Sequence, residues 1–204
     1  MTRLLILIAI AVAGAAGLRL ALRPDRDPDP PARILCGGSM RLPVERLCRP
    51  LEGRALLDFA GSETLLPRVL AGGPGDILVT HDPFPNQVRA AGRLAAVAEV
   101  GDLAPVLAVR RDRPVPDASL AALAGDGLRL GLPDARYSTC GAYLADRLAA
   151  EGLSARVAAR TVVVRRSHQE LAHDLRLGAV DMAVVWNFVA AQNRDELATV
   201  PLPG

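Results

Sequence analysis

The chain has 204 residues, half of them hydrophobic and 3% aromatic, with a formal net charge of +2. That length allows one large core or two small ones, at roughly 100–200 residues per domain, built from Leu, Val and Ala. All 24 basic residues are arginine, and no basic run is interleaved with aromatic residues, which argues against a nucleic-acid partner.

Arg3 precedes an apolar run from Leu4 to Gly17 that closes on small residues, with an A-x-A-like site at Ala11-Val12-Ala13. This pattern fits a secretory signal. Extended through Leu18 to Leu22, with Arg19 snorkelling at an interface, the same run fits an uncleaved anchor. Residues 1–22 therefore read as a signal peptide or a membrane anchor, and residues 23–33, rich in proline and alternating charge, as a tether. Both readings imply export, to the periplasm or to the outer face of the inner membrane.

Beyond the tether, short apolar runs alternate with helical patterns, the mark of an α/β fold with mainly parallel sheets flanked by helices. Strands are expected at Ile34–Cys36, Ala55–Phe59, Ile77–Thr80 and Ala95–Val100, with helices at Leu42–Cys48, Thr64–Ala71 and Pro85–Ala91. Ala104–Val109 is a candidate crossing strand, followed by a polar break at 110–114. The second part repeats the logic: strands at Leu128–Leu132, Val157–Val164 and Met182–Trp186, helices at Gly141–Ala150 and Ser167–Leu177. Residues 34–103 and 104–187 thus form two α/β lobes, and 188–204 an incomplete return toward the first.

Three strand ends run into a serine at a helix start: Leu35-Cys36-Gly37-Gly38-Ser39, Phe59-Ala60-Gly61-Ser62 and, more loosely, Ser138-Thr139-Cys140-Gly141. There the hydroxyl joins backbone N–H groups that have no intrahelical partner, a ready anion donor set. No G-x-S-x-G, G-x4-G-K-[ST] or H-E-x-x-H pattern is present, so the chain reads as a binder rather than an enzyme, without a cofactor.

The blocks ILCGGSM, FAGSETL followed after nine residues by GDILVTHD, and LRLGAVDMAVVW resemble, in order and spacing, the molybdate-binding proteins of ABC importers, within the two-lobed periplasmic solute-binding class. The resemblance implies a periplasmic-binding-protein-like fold, shortened at its C-terminus, that closes by hinge motion over a tetrahedral oxyanion: molybdate or tungstate, or sulfate. It implies uncharged ligand donors: the Ser39 and Ser62 hydroxyls from one lobe, the Cys140 and His168 amides from the other, and Trp186 in place of a tyrosine. The partners it implies are the oxyanion and an ABC permease in the membrane, with the binding protein a monomer.

Two alternatives stay open. Cys36, Cys140 and His168 could hold a soft metal or another small solute, or the fold could serve as a membrane-tethered sensory domain. Glu63, directly after Ser62, reads as a dipole partner of its helix or as a carboxylate that would repel a dianion. Cys36 and Cys48, at opposite ends of one helical element, are expected to lie too far apart for a disulfide, and a Cys36–Cys140 bridge would lock the lobes together.

Overall fold

The computed structural model describes residues 4–10, 30–125 and 127–202. They divide into two compact units, Leu4–Asp102 and the chain from Leu103 onward.

The first unit holds a five-stranded sheet in the order β3-β2-β4-β1-β5. Its strands are β1 (Leu4–Ile10), β2 (Ala32–Gly37), β3 (Ala55–Ala60), β4 (Ile77–His81) and β5 (Ala96–Leu103). Its helices are α1 (Arg41–Cys48), α2 (Ser62–Leu70) and α3 (Phe84–Ala90). β2 runs parallel to both β3 and β4, and its Ile34, Leu35 and Cys36 are all buried, as expected of a central strand covered on both faces. The period of two sorts them. Leu35 packs with Leu65, Leu66, Leu78, Phe84 and Val88 of β4, α2 and α3, whereas Ile34 and Cys36 pack with Val44 of α1 and Val79.

In the second unit the order is β10-β6-β9-β7-β8. The strands are β6 (Pro105–Arg110), β7 (Leu130–Pro133), β8 (Thr161–Arg165), β9 (Met182–Trp186) and β10 (Leu197–Pro201). The helices are α4 (Thr139–Ala150), α5 (Ser154–Ala158), α6 (His168–Arg176) and α7 (Asn187–Gln192). Every residue of β9 is buried, which suits its central place beside β6 and β7. Leu171 and Leu175 of α6 are fully buried, the i,i+4 stripe by which that helix seats on the sheet.

Leu4–Ile10, within the segment offered as a signal or anchor, pairs antiparallel with β4. The structure departs from the sequence expectations at three other places. Residues 11–22 and most of the tether lie outside the described residues, while the tether's last two residues, Ala32 and Arg33, already belong to β2. The Val157–Val164 strand is instead the helix α5 followed by β8, because Val157 serves as a helical core anchor at 1% exposure. The described residues after 187 belong to the second unit instead: β10 pairs antiparallel with β6, and the Leu202 amide donates to Pro105. Half-buried Cys48 packs against the cluster that holds Cys36, beyond the turn over Gly38–Met40. All three cysteines are free thiols.

No helix among the described residues is long and apolar enough to cross a membrane.

Candidate functional site

In the first unit, β2, β3 and β4 are parallel, so the loops after their carboxyl ends gather at one edge of the sheet. Ser39 sits half-buried in the short 3-10 turn Gly38–Met40 that joins β2 to α1. Ser62 is the first residue of α2, with Gly61 as its extended N-cap. A Cβ on Gly37 would lie 3.2 Å from the Ser62 hydroxyl, so the hydroxyl rests against the end of β2, two residues before Ser39. Ser62 is 6% exposed, and among the described residues its hydroxyl has no hydrogen-bond partner.

The Glu63 side chain folds back over Gly61: a Cβ there would meet its Oε1 at 2.1 Å. Its carboxylate thus stands at the start of α2, where the helix dipole favours it. His81 closes β4, and its Nδ1 donates to the Asp82 carbonyl at 2.8 Å. Burial pushes the His81 imidazole below its usual range, against the opposing influence of the Asp82 hydrogen bond and the Glu63 and Asp82 charges. Arg41 lies over the Phe59 ring at 4.2 Å and pairs with Glu45 at 3.5 Å.

The second unit repeats the arrangement on β7 and β8, which are also parallel. Ser138 is the N-cap of α4, its hydroxyl accepting from the Gly141 amide at 3.3 Å. Cys140 is the second residue of that helix, in the first turn where amides lack intrahelical carbonyls. His168 begins α6 behind Ser167, is 3% exposed, and places Nε2 3.0 Å from Ser138 Oγ. The indole of Trp186, at the end of β9, lies against it with ring centroids 5.5 Å apart. The structure therefore brings Cys140, His168 and Trp186 together in one unit, and Ser39 and Ser62 in the other.

Of the residues named for a metal, Cys36 belongs to the first unit and Cys140 and His168 to the second. Among the described residues no three His, Cys, Asp or Glu side chains gather as a metal site. Burial pushes the Cys36 thiol up to about 12 and raises that of Cys140 as well.

Sequence reasoning missed the residues that join the two loops of the second unit. Ser138 was legible as a cap, but not its bond to His168, which links positions 30 apart. The neighbouring Asp134 is clasped by Arg136 through Nε at 3.0 Å and Nη2 at 2.8 Å, which holds its carboxyl down at about 2. Asp174 is likewise clasped by Arg165 at 2.9 and 3.1 Å. Arg166 stacks on Tyr137, its guanidinium carbon 3.4 Å from the ring centroid. No short-range pattern marks these pairs.

Comparison with known proteins returns one family model, described as bacterial extracellular solute-binding protein, which matches residues 32–204. A Haemophilus influenzae protein designated a binding protein is 25% identical over 175 residues, covering 83% of this chain and 71% of its own. Among solved structures, the substrate-binding domain assigned to a molybdenum ABC transporter of Clostridium difficile superposes with a TM-score of 0.64 at 16% identity, over 83% of this chain and 76% of that one. The periplasmic molybdate-binding protein of Azotobacter vinelandii gives 0.54 at 15% identity, over 76% and 71%. At such identities the likeness establishes the fold and leaves the ligand open.

Proposed function

Because the chain belongs to the bacterial extracellular solute-binding proteins, we propose that it captures a small tetrahedral oxyanion, of the molybdate, tungstate and sulfate class, and hands it to an ABC permease. The observation that carries this reading is Ser62 at the start of α2, 6% exposed, with its hydroxyl set against Gly37 at the end of β2. Ser39 and Ser62 donate from the first unit. The Cys140 and His168 amides donate from the second, with the Trp186 indole stacked on the His168 ring. Each hydrogen bond to a charged oxygen contributes roughly 1.5–3 kcal/mol, and helix N-termini add to this where they are partly buried. Several such donors hold a dianion without a carboxylate to repel it, provided the Glu63 side chain keeps to its fold-back over Gly61.

The test is calorimetric titration of the purified chain with molybdate, tungstate and sulfate. One or more should bind with 1:1 stoichiometry, and Ser39→Ala with Ser62→Ala should weaken that binding by at least tenfold. A chain that binds none of the three, or a double variant that binds as the parent does, removes the proposal.

A further inference from the structure

Around the starts of α4 and α6 stand three arginines, Arg136, Arg165 at the end of β8 and Arg166, and three carboxylates, Asp134, Glu170 in the first turn of α6 and Asp174 further along it. Asp134 is taken by Arg136 and Asp174 by Arg165, each through two hydrogen bonds. Arg166 remains. Among the described residues no carboxylate lies within ion-pair distance of it, although its field helps hold down the nearby Asp134 carboxyl. The residue is exposed, but its guanidinium is held over Tyr137, with the central carbon 3.4 Å from the ring centroid, a stack that costs the planar group little of its hydrogen-bonding capacity.

The position of that stack is what gives it a role. Tyr137 immediately precedes Ser138, the N-cap of α4, and Arg166 immediately precedes Ser167, the N-cap of α6. The same two loops are tied a second time by the 3.0 Å contact between Ser138 and His168. An uncompensated guanidinium is thus held at two helix starts that both favour negative charge. The corresponding stack in the first unit, Arg41 on Phe59, is already engaged with Glu45.

We infer that Arg166, pinned by Tyr137, is a ligand-contact residue: a formal cation that pairs with the bound anion alongside the uncharged donors of the second unit. This rests on the oxyanion reading above and changes its chemistry. Capture becomes partly an ion pair, dependent on salt, and selective for oxyanions that present two oxygens to a planar fork. Tyr137 is a positioning residue, acting only through Arg166.

The experiment titrates molybdate, tungstate, sulfate and phosphate into the full chain at several sodium chloride concentrations, with Arg166→Gln, Arg166→Lys, Tyr137→Ala and Tyr137→Phe. Arg147→Gln removes the same charge at the far end of α4, where the residue pairs with Glu151. The expected result is a loss of about 10- to 100-fold for Arg166→Gln, the range of one charge-assisted hydrogen bond, with a flatter salt dependence. Arg166→Lys keeps the salt dependence and part of the affinity. Tyr137→Phe binds as the parent does, Tyr137→Ala falls between, and Arg147→Gln changes nothing. Parent-like affinity and salt dependence in Arg166→Gln overturn this inference alone. A parent chain that binds none of the four anions overturns the functional reading and this inference together.

Discussion

Gly141 offers the sharpest test of how the second unit positions its helix start. It is the third residue of α4, a place where alanine normally gains up to about 1 kcal/mol over glycine. Here a Cβ would sit 2.6 Å from the Pro133 carbonyl oxygen, 2.8 Å from the Ala135 amide nitrogen and 2.9 Å from its Cα. Ordinary contact begins at 3.4 Å, so the nearest atom must retreat by 3.4 − 2.6 = 0.8 Å. All three obstacles are backbone, in the loop that leaves β7, so no rotamer change relieves them. Overpacking of this kind costs about 1–3 kcal/mol, and rigid backbone places it at the upper end. After the helix gain, Gly141→Ala should lose about 2 kcal/mol, a fall of roughly 4–8 °C in melting temperature for a chain of this size. Thermal and urea unfolding followed by circular dichroism measure it. Because the same loop leads to Tyr137 and Ser138, anion affinity should fall as well. Gly152→Ala, strained by a positive φ of 68° but with open space around it, should cost stability without touching affinity. If Gly141→Ala melts at or above the parent temperature, the close approach of α4 to the β7 loop is not real, and the account of the second half-site fails with it.

Three further outcomes follow from single residues. Ser138→Ala removes the N-cap bond to Gly141 and the contact to His168, and should destabilise by about 1–2 kcal/mol in urea unfolding; Ser138→Asn, a competent cap, should recover part of that loss. Thr80 is 3% exposed and its hydroxyl is unpartnered among the described residues, so the isosteric Thr80→Val should raise stability by about 1 kcal/mol; a loss would mean the hydroxyl has found a partner. His81 is held below its usual range chiefly by burial, so the folded state takes up its proton less readily than the unfolded state. The stability linked to it is therefore complete above the unfolded value near 6.5 and is lost as pH falls below it. His81→Gln should flatten that decline between pH 7 and 5, and an unchanged profile refutes the assignment.

The Ser62 and Cys140 positions were legible because they depend on short-range rules. A strand of consecutive buried residues, a Gly or Ser at its end, and a helical stripe beyond it specify where a helix begins, and so where its free amides point. The buried centre of β2, Ile34–Cys36, and the all-buried β9 were readable on the same ground. What the sequence left undetermined rests on contacts between distant residues. Residues 188–204 read only as an incomplete return toward the first lobe, and the available edge of β6 decides that β10 joins the second unit. The linear spacing of Cys36 and Cys48 gives their separation along one element and says nothing of the turn over Gly38–Met40.

The charge around the helix starts of the second unit shows the same division. Composition supplies arginines and carboxylates in near balance, and their spacing does not say who pairs with whom. Arg165 and Arg166 are adjacent and chemically identical, yet tertiary placement gives one to Asp174 and leaves the other on Tyr137. By itself the sequence determined the fold class and the helix starts, because both follow from local hydrophobic period and capping. Which charge remains uncompensated at those starts was decided by the tertiary structure alone, because ion pairing depends on distances of a few ångströms between residues far apart in the chain.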